Sequence, residues 1–210
     1  MCIVKVENAT KIYGDHTVLN NLSINFDAGC IHGIVGRNGS GKTVLFKAIC
    51  GFIKLNSGKI WINQEQLGKK FDVPEQVGII IEAPGFLPNY SAYGNLKLLA
   101  SIKNKISPAQ IKEAIAIVGL DPESKKHVGK FSLGMRQRLG IAQAIMEDPQ
   151  LLIFDEPFNG LDIAGVEDMR KLFLDLKKQG KTIIMASHSS EDVNLLCDTV
   201  HKMDKGQWIE

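Results

Sequence analysis

The strongest indication of the fold of this chain is the sequence GRNGSGKT at residues 36–43. It matches the pattern G-x-x-x-x-G-K-[ST], whose glycines let backbone N–H groups surround a phosphate at the start of a helix. An apolar run at 31–35 precedes it, and apolar residues at helical spacing follow it as far as Gly51. Because a strand, a loop and a helix occur in the order that phosphate binding requires, we prefer this interpretation to a glycine-rich turn with a chance Lys-Thr pair.

Each residue of this phosphate loop has an expected role. Lys42 should bridge the β- and γ-phosphates of a nucleotide, and the Thr43 hydroxyl should ligate Mg²⁺. The other nucleotide contacts are expected from Gly36, Arg37, Asn38, Gly39, Ser40, Gly41 and Val44. The loop alone does not distinguish an ATPase from a GTPase or a small-molecule kinase.

A second motif, LLIFDEP at 151–157, brings two adjacent carboxylates to the end of an apolar strand. Asp155 suits a Mg²⁺ shell, and Glu156 can polarise a water for attack on a γ-phosphate, a task that GTPases commonly give to glutamine. Without Lys42, surface charge or a helix cap would be the better interpretation of the Asp-Glu pair. Together the two motifs favour an ATPase.

The pattern of apolar runs indicates an α/β fold with a phosphate-loop NTPase core. Continuous apolar runs at 151–154 and 182–186, with an amphipathic stretch at 166–178 between them, predict a βαβ unit in a mostly parallel sheet. Alternating apolar residues in the first 30 positions predict an N-terminal antiparallel β layer.

Between the phosphate loop and the second motif the chain changes character. Strands are expected at 58–62 and 78–81, on either side of a polar stretch, as a continuation of the sheet. Helical spacing then predicts an inserted helical subdomain at about 85–147, with Ser107 and Pro108 in the first turn of one helix. Because the chain has no repeat, low-complexity tract or linker, we expect residues 1–210 to form a single domain.

The composition limits the partners that we expect. With 25 Lys+Arg against 23 Asp+Glu the formal net charge is only +2, so no nucleic-acid partner is expected. Lys5 and Glu7 lie where a signal peptide would need its apolar stretch, and the chain has no run of about 18 apolar residues. We therefore expect a cytoplasmic protein whose four cysteines are free thiols.

Five motifs in a fixed order resemble those of an ABC transporter ATPase over nearly the whole chain. They are GRNGSGKT at 36–43, FSLGMRQR at 131–138, LLIFDEP at 151–157, NGLD at 159–162 and SH at 187–188. The resemblance implies an ABC ATPase fold with ATP and Mg²⁺ as cofactors. It also implies a second ABC ATPase subunit, in a homodimer or pseudo-dimer, and a polytopic membrane permease that holds the protein on the inner face of the cell membrane.

The resemblance assigns roles to residues outside the first two motifs. Tyr13 would stack on adenine, with a core tyrosine as the rival interpretation. His188 would contact the γ-phosphate and help to hold the attacking water. Asp162 would lie in the loop that communicates between two active sites, with a helix N-cap as the alternative.

The signature motif of the family reaches across a dimer to ATP bound by the other subunit. Here it comprises Ser132, Leu133, Gly134 and Met135, and the leucine and methionine replace a more common glycine and glutamine. Ser132 also suits the N-cap of the following helix, whose positive end favours an anion. A plain capping serine is the alternative.

Glu82 is the most informative departure from the family pattern. Most relatives carry a glutamine here that meets Mg²⁺ and the attacking water, whereas IIIEAPGFLPN at 79–89 resembles the bacitracin-export and lantibiotic-immunity branch. We expect Glu82 to bind Mg²⁺ and to tune hydrolysis. The branch suggests export connected with antibiotic-peptide resistance or immunity, and a soluble ABC ATPase that moves no solute is the alternative function.

Overall fold

The structure is a computed structural model that describes residues 1–69, 73–74 and 76–209. These residues form two β-sheets and six α-helices. The strands are β1 (Cys2–Tyr13), β2 (His16–Asp27), β3 (Ile31–Val35), β4 (Ser57–Ile62), β5 (Glu65–Gln66), β6 (Val77–Ile80), β7 (Leu151–Asp155), β8 (Thr182–Ala186), β9 (Thr199–Asp204) and β10 (Gln207–Ile209). The helices are α1 (Lys42–Ile49), α2 (Ala92–Lys103), α3 (Pro108–Ile117), α4 (Leu133–Ile145), α5 (Ile163–Lys178) and α6 (Ser190–Leu196), with a 3₁₀ turn at Val128–Lys130.

The larger sheet has the strand order β10-β9-β3-β8-β7-β6. Five of its strands pair in parallel, and the edge strand β10 runs antiparallel to β9. The strands β7 and β8 are buried almost throughout, because one core cluster lies on each face of the sheet. This double burial explains their continuous apolar sequences. The prediction of a mostly parallel α/β core is confirmed.

The smaller sheet, β2-β1-β4-β5, is antiparallel. Its β1 and β2 form a long hairpin whose alternating side chains enter the core, as the first 30 residues predict. The strand β4 pairs with β1, whereas β6 pairs with β7 of the larger sheet. The prediction that 58–62 and 78–81 continue one sheet was therefore wrong, because an apolar pattern indicates a strand but not its neighbour. Part of the polar stretch between them lies outside the described residues.

Helices α2, α3 and α4 follow β6 in the chain, and each begins at a capping serine. Ser107 forms a capping box with Gln110 at the start of α3. The side chains of Ser91 and Ser132 accept hydrogen bonds from N–H groups three residues later. Apolar side chains of all three helices share one core cluster with the larger sheet. The subdomain limits at about 85–147 and the single-domain assignment stay predictions.

Helix α4 packs closely at both of its ends. A Cβ at Gly78 of β6 would lie 2.0 Å from the Ala144 carbonyl oxygen, so only glycine fits between this strand and the helix. At the N-terminal end, a Cβ at Gly134 would lie 2.7 Å from the Gly160 carbonyl oxygen, in the loop after β7. The helix is thus held both to the sheet and to the loop that carries the candidate site.

Helix α5 connects β7 to β8 as the predicted crossover helix. The Phe173 ring of this 16-residue helix stacks on Phe154 of β7, with ring centroids 4.8 Å apart. One face of α5 is buried in this way and the opposite face is exposed. Among the described residues, no helix combines the length and the apolar composition that a bilayer span needs.

Candidate functional site

A cleft of about 360 Å³ opens beyond the carboxyl ends of β3, β7 and β8. Its lining consists of Val18, Asn38, Gly39, Ser40, Gly41, Lys42, Thr43, Val44, Asp155, Glu156 and His188. Parallel α/β sheets bind ligands at this edge, because the loops after the strands and the N-termini of the following helices meet there. The structure therefore brings most of the predicted phosphate loop, both carboxylates and the predicted histidine to one place.

Close packing determines the path of the phosphate loop. A Cβ at Gly36 would lie 2.3 Å from the Met203 carbonyl oxygen. A Cβ at Gly41, where φ is +111°, would lie 2.8 Å from a carbonyl oxygen of β2. Gly41 is also the N-cap of α1, so the loop ends at the positive pole of that helix. Gly36 and Arg37 lie just outside the lining of the cleft, in the wall of an adjacent cavity.

Lys42 is buried beneath the phosphate loop. Its Nζ donates to the carbonyl oxygens of Gly36, at 2.7 Å, and Arg37, at 3.2 Å. Ser40 Oγ is also buried, and it has no hydrogen-bond partner among the described residues. Phosphate oxygens could accept hydrogen bonds from the buried Lys42 ammonium group and from the Ser40 hydroxyl, which has no partner in the described part of the chain.

The Thr43 hydroxyl donates a 2.6 Å hydrogen bond to Asp155 Oδ2. Thr43 lies in the first turn of α1 and Asp155 ends β7, so this contact joins the phosphate loop to the second motif. Oxygen donors are the ligands that Mg²⁺ prefers, and a nucleotide-bound Mg²⁺ is commonly held by one or two carboxylates together with phosphate oxygens and waters. The pair therefore fits a Mg²⁺ site that a nucleotide would complete.

Glu156 has a left-handed backbone conformation, with φ +51°, which is uncommon for a residue with a side chain. Its N–H donates to the Ala186 carbonyl oxygen at the end of β8, at 3.1 Å. One carboxylate oxygen accepts from the His188 N–H at 3.3 Å, and the other lies 3.1 Å from His188 Nε2. The turn therefore directs the carboxylate toward the histidine that follows the neighbouring strand.

Partial burial raises the pKa of the Glu156 carboxyl above its ordinary value. His188 and Lys42 oppose this effect of burial on the pKa, whereas the adjacent charge of Asp155 reinforces it. A carboxylate with a raised pKa is a stronger base. This property suits a group that accepts a proton from water.

Gln137 was not predicted to belong to the site. Its buried side chain, on α4, donates to the carbonyl oxygens of Glu156, at 3.3 Å, and Pro157, at 2.9 Å. These two bonds hold the peptide groups that follow the left-handed turn. The signal in the sequence is a glutamine within a buried helical stripe, Gln137, Gly140, Ile141 and Ala144. A polar side chain in such a stripe needs a partner.

The predicted signature residues, 132–135, lie at the N-terminus of α4 and do not line the cleft. Ser132 caps the helix and is exposed, as is Leu133. The leucine covers Gly160, where a Cβ would lie 2.5 Å from Leu133 Cδ2. Asp162 caps α5 by accepting from the Gly165 N–H at 3.0 Å, which matches its N-cap interpretation. Within one chain, the signature and the phosphate loop are therefore not parts of one cleft.

Two further predicted residues also lie outside the lining of the cleft. Tyr13 ends β1 and is 47% exposed, so the core-tyrosine interpretation is wrong. Lys11 Nζ lies 4.8 Å from the centroid of that ring. Glu82, which follows β6, places a carboxylate oxygen 2.7 Å from Lys47 Nζ on α1. The tyrosine is thus available for stacking, and the glutamate is paired with a cation.

We expect Glu156→Gln to be more stable than the wild type at pH 8. The pKa of this carboxyl is raised in the folded state, so its ionised form destabilises the folded protein. This destabilisation is complete above the folded-state pKa and absent below the unfolded-state pKa of about 4.3. Glutamine does not ionise and avoids this destabilisation. Thermal unfolding without nucleotide should show an advantage for the variant at pH 8 that shrinks as the pH falls toward the unfolded-state pKa. An equal advantage at every pH, or the same pattern for the exposed control Glu113→Gln, would contradict the assignment.

Comparison with known proteins agrees with the motifs. The family model described as ABC transporter matches residues 19–159. The chain is 46% identical over 205 residues to the uncharacterized ABC transporter ATP-binding protein YybJ of Bacillus subtilis, with 98% of this chain and 94% of the relative covered. It is 43% identical over 210 residues to the bacitracin transport ATP-binding protein BcrA of Bacillus licheniformis, with 99% of this chain and 69% of the relative covered.

Solved structures share the fold. The ATP-binding cassette MJ0796, solved as a dimer in a post-hydrolysis state bound to ADP and Pi, has a TM-score of 0.89 at 22% identity, with 99% of this chain and 97% of that chain covered. The protein cbiO1 from Clostridium perfringens, part of the ABC transporter complex cbiONQ, has a TM-score of 0.85 at 30% identity, with 100% and 87% covered. By its motifs, its fold and its relatives, the chain belongs to the ABC transporter family.

Proposed function

We propose that this chain is the ABC transporter subunit that binds and hydrolyses ATP and thereby powers transport through a separate membrane subunit. The observation that carries the proposal is a single cleft that gathers three groups. They are the phosphate loop, the hydrogen-bonded pair Thr43 and Asp155, and the contact between Glu156 and His188. Binding a nucleotide with its metal ion needs the first two groups, and activating a water needs the third.

The phosphate loop binds the β- and γ-phosphates of ATP. Backbone N–H groups at 36–41 and the N-terminus of α1 supply donors and a positive pole. Lys42 exchanges its bonds to the loop carbonyls for bonds to phosphate oxygens, and Ser40 Oγ supplies one more donor. The exposed ring of Tyr13 stacks on the adenine without reading its edges.

Thr43 and Asp155 hold the Mg²⁺ that accompanies ATP, and Glu82 is the third residue that we assign to the ion. When bound, the ion supplies positive charge to the phosphates as the γ-phosphate is transferred to water. The hydroxyl and the carboxylates are oxygen donors, in keeping with the preference of Mg²⁺. Their part is to orient the ion and to link it to α1 and β7.

Glu156 activates the attacking water, and His188 contacts the γ-phosphate and helps to place that water. The carboxylate is partly buried, so its pKa is raised and it accepts a proton more readily than an exposed carboxylate would. Two contacts to His188 keep the carboxylate at the edge of the cleft. Preorganisation of this kind avoids a rearrangement at the moment of reaction.

The other half of the ATP site comes from a second copy of the chain. The signature residues 132–135 lie at the positive end of α4, where Ser132 and Leu133 are exposed, and they do not line the cleft of their own chain. In a head-to-tail dimer this helix end would face the γ-phosphate held by the other subunit. Asp162, two residues after the Gly160 that Leu133 covers, then lies where the two sites communicate.

The membrane partner is a polytopic permease that converts dimer closure into movement of a solute. It holds the chain in the cytoplasm, at the inner face of the cell membrane. The bacitracin transport protein among the relatives supports an antibiotic peptide as the exported class. The alternative, a soluble ABC ATPase that moves no solute, has no observation in its favour.

The shared ATP site predicts that Glu156→Gln forms a stable dimer with ATP. The variant keeps the phosphate loop and the signature but loses the group that activates water, so the closed dimer should accumulate with MgATP. Gel filtration at saturating MgATP should show dimers, and ADP should leave monomers. Adding Ser132→Arg in the same chain should restore monomers. Elution of Glu156→Gln as a monomer with saturating MgATP would count against the shared site.

Gln137→Met should lower the maximal rate of ATP hydrolysis more than it changes KM. The methionine has a similar volume but cannot donate to the carbonyl oxygens of Glu156 and Pro157, so the carboxylate loses its exact placement. Displacements of about 1 Å can cost roughly 100-fold in rate. Steady-state kinetics should show a fall of about 10- to 100-fold in kcat. The matched control is Gln143→Met on the same helix, and equal effects of both variants would rule out a positioning role.

A further inference from the structure

An ion pair joins Glu82 to the helix that carries the phosphate-loop threonine. Lys47 Nζ lies 2.7 Å from Glu82 Oε1. Lys47 is four residues after Thr43 on α1, so the two side chains share one face of the helix about one turn apart. The lysine therefore holds the Glu82 carboxylate outside the cleft that Thr43 and Asp155 line.

The backbone at Glu82 supports a specific placement of this side chain. Its φ is +63°, in the left-handed region that residues with side chains seldom adopt, and it follows the end of β6 by two residues. Its side chain is 64% exposed, whereas that of Lys47 is 30% exposed. A largely exposed carboxylate on a turn, anchored to a half-buried lysine, can change its partner without disturbing the core.

We propose that Lys47 is a positioning residue that competes with Mg²⁺ for the Glu82 carboxylate. The inference rests on the proposed function, in which Glu82 serves the nucleotide-bound ion. In its pair with Lys47 the Glu82 carboxylate does not line the cleft that Thr43 and Asp155 line, so it cannot serve an ion there while it stays in that position. Recruiting Glu82 to the ion therefore requires breaking its pair with Lys47.

Charge explains why a lysine in this position matters. Without Mg²⁺, an unpaired Glu82 carboxylate would repel the γ-phosphate of ATP, and Lys47 neutralises that charge. With Mg²⁺, the same lysine holds the carboxylate back from the ion. Lys47 thus favours Mg²⁺-free ATP and disfavours MgATP, so it lowers the preference of the protein for the metal complex.

A binding experiment separates this role from a purely structural one. The affinity for a fluorescent, non-hydrolysable ATP analogue is measured with Mg²⁺ and with EDTA, and the ratio of the two dissociation constants gives the Mg²⁺ preference. Lys47→Met should raise this preference about two- to fivefold, the range expected for an exposed ion pair. Glu82→Gln should lower it. Lys47→Met combined with Glu82→Gln should match Glu82→Gln alone.

Lys47→Arg retains the positive charge and should stay close to the wild type, because the guanidinium can still pair with the carboxylate. An unchanged Mg²⁺ preference in Lys47→Met would overturn the proposal. The proposal would also be overturned if Lys47→Met changed the Mg²⁺ preference equally in the wild type and in the Glu82→Gln variant. The proposed function fails separately, if the wild type does not bind the analogue or if Lys42→Ala binds it as well as the wild type does.

Discussion

The backbone conformation of Glu156 is the constraint that brings its carboxylate and His188 together at the phosphate-loop cleft. The chain turns sharply after β7 at φ +51°, with the Glu156 N–H bound to the end of β8 and its carbonyl oxygen bound to Gln137 of α4. A left-handed conformation costs about 1–2 kcal/mol in a residue with a side chain, so it persists where its surroundings impose it. Here two strands and a helix impose it together, and the carboxylate consequently meets His188 at the edge of the phosphate-loop cleft.

Helix α4 serves both halves of the proposed ATP site. Its exposed N-terminus carries the signature residues 132–135, and its buried face carries Gln137, which holds the peptide groups after Glu156. Two close glycine contacts also confine the helix. Gly78 of the sheet lies against the backbone near the end of α4, and Gly134 of α4 lies against the backbone of the loop after β7. In the proposed dimer, α4 therefore contacts the nucleotide of the other subunit. The same helix positions the catalytic carboxylate of its own subunit.

Local patterns were sufficient to predict the core and most of the cleft. The runs at 151–154 and 182–186 are continuous and apolar, and they form buried parallel strands whose ends bring Asp155, Glu156 and His188 beside the phosphate loop. The neighbours of β4 and β6 were not predictable in this way, because strand pairing joins residues far apart in the chain. The role of Gln137 was hidden for the same reason, since its partners are backbone carbonyls about 20 residues away that lie beside it only after folding.

Mixing two inactive variants tests whether one ATP site is shared between two copies of the chain. Lys42→Ala disables the phosphate loop and Ser132→Arg blocks the signature, so neither variant alone can form a complete site. In a mixed head-to-tail dimer, the intact phosphate loop of the Ser132→Arg chain would face the intact signature of the Lys42→Ala chain. We expect the mixture to hydrolyse ATP at a rate that neither variant shows alone. A mixture that is as inactive as its components, although mixed dimers form, would contradict a shared site.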